Sequence, residues 1–168
     1  MPIETAIPIH AATKSEYHEL DYAMMEQVFA IHSEFGGIFD ESIYKNELTR
    51  RCRAAGMVMD REVLIRVRHG SFVKEYRIDI LMNRSVITEA KTAVQIVDAH
   101  RGQTANYLML ANIHYGSLVN FKGSSAKREF VSSPQNHEER CRFDVKTHAW
   151  AMDETHRSLQ DITVDSEK

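Results

Sequence analysis

The 168-residue chain sets 21 lysines and arginines against 24 aspartates and glutamates, a formal charge of -3, so no bulk positive field marks it as a nucleic-acid binder and any basic surface has to be local. Its 43% hydrophobic content suits one globular domain, and the absence of a long uninterrupted apolar run or a basic leader argues for a cytoplasmic protein with no membrane partner. Two distant cysteines, Cys52 and Cys141, and nine histidines without His-x-His or His-x-x-x-His spacing leave a zinc site unsupported.

Residues 1–15 read as a leader. Leu20, Ala23, Met24, Val28, Ile31 and Phe35 then recur at three- and four-residue steps, which predicts an amphipathic helix from about His18 to Glu34, ended by Gly36-Gly37. A second helix is expected from Asp40 or Glu41 to Ala55, with Ile43, Tyr44, Leu48 and Cys52 inward and Glu41 in the first turn. Alternation of Val63, Ile65 and Val67 predicts a strand over Glu62 to Arg68, turned back between His69 and Val73.

The next segment, Tyr76 to Thr92, is the chemically informative one. An apolar strand carrying Asp79 turns through Asn83-Arg84-Ser85 into a second apolar strand carrying Glu89-Ala90-Lys91. With a three-residue loop, antiparallel pairing sets Asp79 opposite Glu89, and like charges so opposed are destabilising unless a cation lies between them. Period-2 alternation returns Lys91 to the same face. A two-residue loop would instead pair Asp79 with Thr88 and send the carboxylates to opposite faces. Taken alone, Asp followed ten residues later by Glu-x-Lys is common by chance and reads first as a solvated charge ladder on an ordinary hairpin. The weight toward function comes from Ile78, Ile80, Leu81, Met82, Val86 and Ile87, which make both strands interior, where charges need a reason.

Beyond the hairpin, a helix is expected from Ala99 to Asn112, a buried strand from Tyr115 to Phe121 and a short edge strand at Phe130 to Ser132. His100, Gln103 and Tyr107 share one face of that helix. They are either half-exposed and core-packed residues or contacts to a substrate phosphate or a metal-held water. This order predicts an α/β fold: a mixed central sheet with helices on both faces, spanning residues 16–133. Residues 134–168 turn polar and read as a partly disordered extension, with Phe143, Val145, Trp150 and Met152 available to dock on the domain or on a partner.

In ordered sequence the segments Ile31 to Gly36, Phe39 to Tyr44, Tyr76 to Leu81, Val86 to Lys91, Gln103 to Leu108 and Gly116 to Phe121 resemble the GxxExxY proteins of the PD-(D/E)XK nuclease superfamily. One departure is plain: Ile38 stands where the family's naming glycine precedes Glu41 by three residues, with Gly36 and Gly37 just upstream. The resemblance implies a restriction-endonuclease-like core, with Asp79, Glu89 and Lys91 as the signature site and Glu41 as a helix-borne acid. Gln103 and Tyr107 look like the Gln-x-x-x-Tyr element of the exonuclease-type branch. The tail after Ser133 lies largely outside the resemblance.

The chemistry then expected is phosphodiester hydrolysis of DNA, in preference to RNA. Asp79, Glu89 and the Ala90 carbonyl would hold Mg²⁺ or Mn²⁺, Lys91 would face the phosphate, and Glu41 would act directly or through water. A homodimer would supply two sites for two strands. The alternatives are a catalytically inactive module of the same fold that binds nucleic acid or a protein, and a self-associating scaffold using Trp150 and the C-terminal extension.

Overall fold

The computed structural model describes residues 2–134, 136–148 and 150. Six strands form one sheet in sequence order, from β1 (Ile3–Thr5) through β2 (Met59–His69), β3 (Phe72–Met82), β4 (Val86–Lys91) and β5 (Tyr115–Asn120) to β6 (Lys127–Ser132). Only the β4–β5 pair is parallel. It is bridged by α3 (Asp98–Ala111), as a parallel pair requires a crossover. The helices α1 (Lys14–Phe35) and α2 (Glu41–Ala54) cover one face, and α3 covers the other. This is the mixed, two-sided architecture of the restriction-endonuclease-like fold.

On the α1/α2 face, Tyr17, Met24, Val28, Ile31, Tyr44, Leu48 and Cys52 pack against Ile80, Met82, Val86, Ala90 and Val119. On the other, Ala105, Leu108 and Ile113 meet Ile65, Ile78, Leu81, Ile87 and Leu118. The expected stripe of α1 is present, but it also buries Asp21, which the hydrophobic pattern did not select. The Asp21 carboxylate accepts from Ser117 Oγ at 2.7 Å and pairs with Arg128 Nη2 at 2.9 Å. Tyr17 shares a 2.8 Å hydrogen bond with Ser117, so α1 is fixed to β5 and β6 by a polar network that is costly to break at any member.

Three expectations are corrected. Ile43 is 41% exposed, because the inward face of α2 is carried by Tyr44, Leu48 and Cys52. The leader contributes β1, a strand too short for alternation to reveal, which exists because β2 offers it an edge. The last strand begins at Lys127, since β5 supplies pairing partners along its whole length. The expected docking of the C-terminal segment is present: after Ser133 the chain forms α4 (His137–Cys141), Phe143 and Trp150 pack on the α3-side core, and Val145 lies against Gly102. Gln135, Ala149 and residues 151–168, Met152 among them, lie outside the described residues.

The turn into α2 shows how the chain manages without a glycine at position 38. Ile38 is 83% exposed and makes no close approach. The tight spot is Gly37, where a Cβ would come within 2.7 Å of the Gly123 backbone, so a side chain there would force the α1–α2 connection off the β5–β6 loop. Tyr44 closes the turn: its hydroxyl donates to Gly36 O at 2.5 Å and accepts from Phe39 N at 3.2 Å, with its ring stacked on Phe121.

Candidate active site

The hairpin loop has three residues. Asn83 and Arg84 adopt φ of 46° and 54°, and Ser85 N donates back to Met82 O at 3.0 Å. Asparagine tolerates the left-handed region, and here it is further tied down: Asn83 N donates to Val58 O at 2.7 Å while its Oδ1 accepts from Val58 N at 2.9 Å. The register that follows pairs Met82 with Val86, Leu81 with Ile87 and Ile80 with Thr88. One step further, Asp79 faces Glu89, as the three-residue loop requires.

At that step the sheet opens. The β3–β4 ladder ends at Ile80–Thr88, and in the β2–β3 ladder the Asp79 partner, Glu62, is skipped between the Arg61–Ile80 and Val63–Ile78 pairs. Glu62 has φ of 54°, and the inward faces of both strands switch there: Met59 and Ile80 belong to the α1/α2 core, Val63 and Ile78 to the α3 core. Asp79 thus sits at a twist point flanked by unpaired backbone. Its own carbonyl is satisfied from the side, by Arg61 Nε at 3.1 Å.

Glu89 is 2% exposed, and its Oε1 has no hydrogen-bond partner. Burial first, then the charge of Asp79 and a carboxyl–carboxylate hydrogen bond with it, push the Glu89 carboxyl up to about 8, against the pull of Lys91 and Lys45. Lys91 Nζ stands 4.0 Å from Glu89 Oε2 on the same face. From α2, Lys45 Nζ reaches Glu41 Oε1 at 2.6 Å and Asp79 Oδ2 at 2.5 Å, so Glu41 is joined to the pair through an ammonium group rather than directly. Burial opposes the Lys45 charge, but its bonds to Asp79 and Glu41 outweigh that and raise its pKa.

On the α3 side, Gln103 Nε2 donates to Tyr107 Oη at 3.2 Å. The Tyr107 hydroxyl is raised above its ordinary pKa by burial, opposed by the Gln103 bond and reinforced by the charges of Glu89 and Asp79, which places it within electrostatic reach of the acid pair. His100 is differently employed: its Nδ1 accepts from Val97 N at 3.1 Å and caps its own helix. Of the residues picked out by sequence, Asp79, Glu89 and Lys91 come together directly, Glu41 by way of Lys45, and Gln103–Tyr107 as a bonded pair beside them.

Lys45 and Arg61 were not legible as site residues. The Glu41-x-x-x-Lys45 spacing signals an i,i+4 helix pair, which is commonplace on exposed faces. Nothing in the sequence marks that its ammonium lands on a carboxylate 34 residues away. Removing it with Lys45→Met should leave Asp79 and Glu41 facing each other with less compensation, costing roughly 1–3 kcal/mol of metal-free stability. That is a drop of several degrees in a melting scan in chelator; an unchanged melting temperature would show that the bridge is not formed in solution.

The donor set suits a hard divalent cation. Two carboxylates are brought together, Glu89 buried and Asp79 half-buried, and one Glu89 oxygen is orphaned, while among the described residues no group of three His, Cys, Asp or Glu side chains is placed to hold a metal ion. Such an ion would therefore have Asp79 and Glu89 as its side-chain ligands.

A mixed sheet sandwiched between helices, with an acid pair and a lysine on one of its hairpins, is a restriction-endonuclease-like fold. A family model of the PD-(D/E)XK nuclease superfamily matches residues 18–132, well over half of the chain, and the chain belongs to that superfamily. Among solved structures it is similar to the one titled "Crystal structure of SSO0001", at 21% identity over 90% of this chain and 70% of that one, with a TM-score of 0.40. No curated protein matches the chain. No helix among the described residues is long and apolar enough to cross a membrane.

Proposed function

We propose that the protein is a metal-dependent nuclease of the GxxExxY branch that hydrolyses phosphodiester bonds in DNA. The observation that carries this reading is the Asp79–Glu89 pair, forced together at a break in the sheet with an orphaned Glu89 oxygen and the Lys91 ammonium at 4.0 Å. Superfamily membership supports a nucleic-acid substrate.

Asp79, Glu89 and the carbonyl of Ala90 are the groups that would hold Mg²⁺ or Mn²⁺. When bound, the ion supplies Lewis acidity toward the scissile phosphate and lowers the pKa of a water. Lys91 neutralises charge that builds on the phosphate, acting from a site whose dipoles are already set. Gln103 and Tyr107 offer an amide and a hydroxyl donor to phosphate oxygens from the α3 side. Glu41 keeps Lys45 aligned on Asp79, and Arg61 keeps the Asp79 backbone in place.

The test is cleavage of labelled single- and double-stranded DNA and RNA with Mg²⁺ or Mn²⁺, wild type beside Glu89→Ala. Metal-dependent products that vanish in the variant are expected, on DNA in preference to RNA. A second reading rests on Lys45, whose ammonium at 2.5 Å from Asp79 stands where a cation would be attracted: an inactive module of the same fold that binds nucleic acid. Binding without cleavage by the wild type, under every metal condition, would select it.

A further inference from the structure

Next to the acid pair, α2 and β2 enclose an open cavity of about 550 Å³ lined by Asn46, Thr49, Arg50, Arg53 and Arg61. Its three arginines are not electrically equivalent. Arg50 is held in a fork by Glu47, through Nη2–Oε1 at 2.6 Å and Nε–Oε2 at 3.0 Å, and its charge is compensated. Arg53 and Arg61 are held by neutral groups. Arg53 donates twice to Met59 O, at 3.1 and 2.6 Å, and Arg61 donates to Asp79 O at 3.1 Å and Asn46 Oδ1 at 3.0 Å. Among the described residues neither forms an ion pair with a carboxylate.

A guanidinium fixed by carbonyl and amide oxygens keeps its full charge, loses little further freedom on binding, and retains most of its donors for a planar or tetrahedral oxyanion. Two of them side by side, uncompensated in a chain of net negative charge, need a purpose. Their position supplies one: Arg61 is bonded to the backbone of Asp79, and Lys45, bonded to the Asp79 side chain, begins a helix segment that reaches Arg53 about 12 Å further along α2. Arg61 thus ties the cavity lining to the strand that carries Asp79.

We infer that this Arg53–Arg61 groove binds the sugar-phosphate backbone of the substrate strand next to the bond being cut. The inference rests on the nuclease reading and adds to it the path by which the strand reaches the site. Guanidinium pairs recognise phosphate through forked, charge-assisted hydrogen bonds, and contacts of this kind position a strand without reading its bases.

The gentlest test is Asn46→Asp. Asn46 is exposed, and the isosteric carboxylate keeps the acceptor for Arg61 while cancelling its charge, so the fold is retained. Binding of a short fluorescein-labelled DNA, single-stranded and duplex, is followed by anisotropy in chelator, so no cutting intervenes. Asn46→Asp and Arg53→Gln are each expected to weaken binding about fivefold and to flatten the log–log salt dependence by about 0.7 for a single strand or 0.9 for a duplex, one phosphate contact's worth. Ser71→Asp, the same charge change at the far β2–β3 turn, is expected to bind like wild type. If wild type binds and Asn46→Asp matches it in affinity and slope, the groove assignment is overturned and the nuclease reading stands. If wild type binds neither form and cuts neither with metal present, both fall together.

Discussion

Lys91→Ala is expected to reduce turnover by at least about a hundredfold while substrate binding and the folded state stay close to wild type. Two ammonium groups border the acid pair, and geometry separates their duties. Lys45 is committed to two carboxylates at 2.6 and 2.5 Å, whereas the carboxylate oxygen paired with Lys91 stands 4.0 Å away. A charge already spent on two anions has little left for a phosphate; Lys91 is the one that can turn to a new anion. Its removal also leaves the Glu89 charge less opposed, since Lys91 is one of the groups that pull the Glu89 pKa down. The measurement is single-turnover cleavage with saturating Mn²⁺, together with anisotropy in chelator. A drop in kcat at near-constant affinity fits the assigned role; wild-type turnover in the variant would remove Lys91 from the chemistry.

Glu89→Gln is expected to abolish cleavage yet stabilise the metal-free protein under alkaline conditions, by on the order of a few kcal/mol. The folded-state carboxyl is raised from 4.5 to about 8 by burial and by Asp79. Between those pH values the folded chain keeps a proton that the unfolded chain has lost, so stability falls as pH rises. The contribution is full below about 4.5, declines through the window, and is gone above about 8. Glutamine carries no charge at any pH, so the variant's stability should be flat across that window where the wild type slopes. Urea unfolding in chelator at a series of pH values checks it. Adding Mg²⁺ at alkaline pH should then stabilise wild type, by the mass action of an ion that binds only the folded state, and leave Glu89→Gln unmoved. A wild-type profile without slope would mean that Glu89 is solvated or compensated in some other way.

These two results have one origin: a carboxylate is buried where folding alone gives it no adequate partner. On the proposed reading a bound cation offsets that cost, and hydrophobic packing around Ile80, Leu81, Ile87 and Leu118 is what holds the pair in place against its own repulsion. The same logic applies to the groove. Arg53 and Arg61 are held by carbonyl and amide oxygens in place of carboxylates, which leaves their charge uncompensated in the groove.

Much of this was written in local sequence. The three- and four-residue steps of α1 and α2, the alternation in β2 and the apolar runs around Asp79 and Glu89 follow from side-chain periods of 3.6 and 2, so the α/β order could be read off. The acid pair and Lys91 were legible too, given a loop length. In the fold that loop is held by Val58, which clamps Asn83 across 25 residues; a two-residue turn would reverse the face of Glu89. Ile43 turned outward and β1 formed on an edge it could not announce, each because a neighbour in space outweighed a local preference, whereas His100 caps its own helix through Val97, three residues away.

Sequence by itself therefore determined which side chains are available and on which strand or helix they ride. Tertiary structure alone decided the sheet opening at Glu62 and Asp79, the Lys45 bridge to Asp79, and the uncompensated charges of Arg53 and Arg61. The physical reason is that periodicity reports burial along one element, whereas charge compensation depends on which oxygen a long side chain reaches on another.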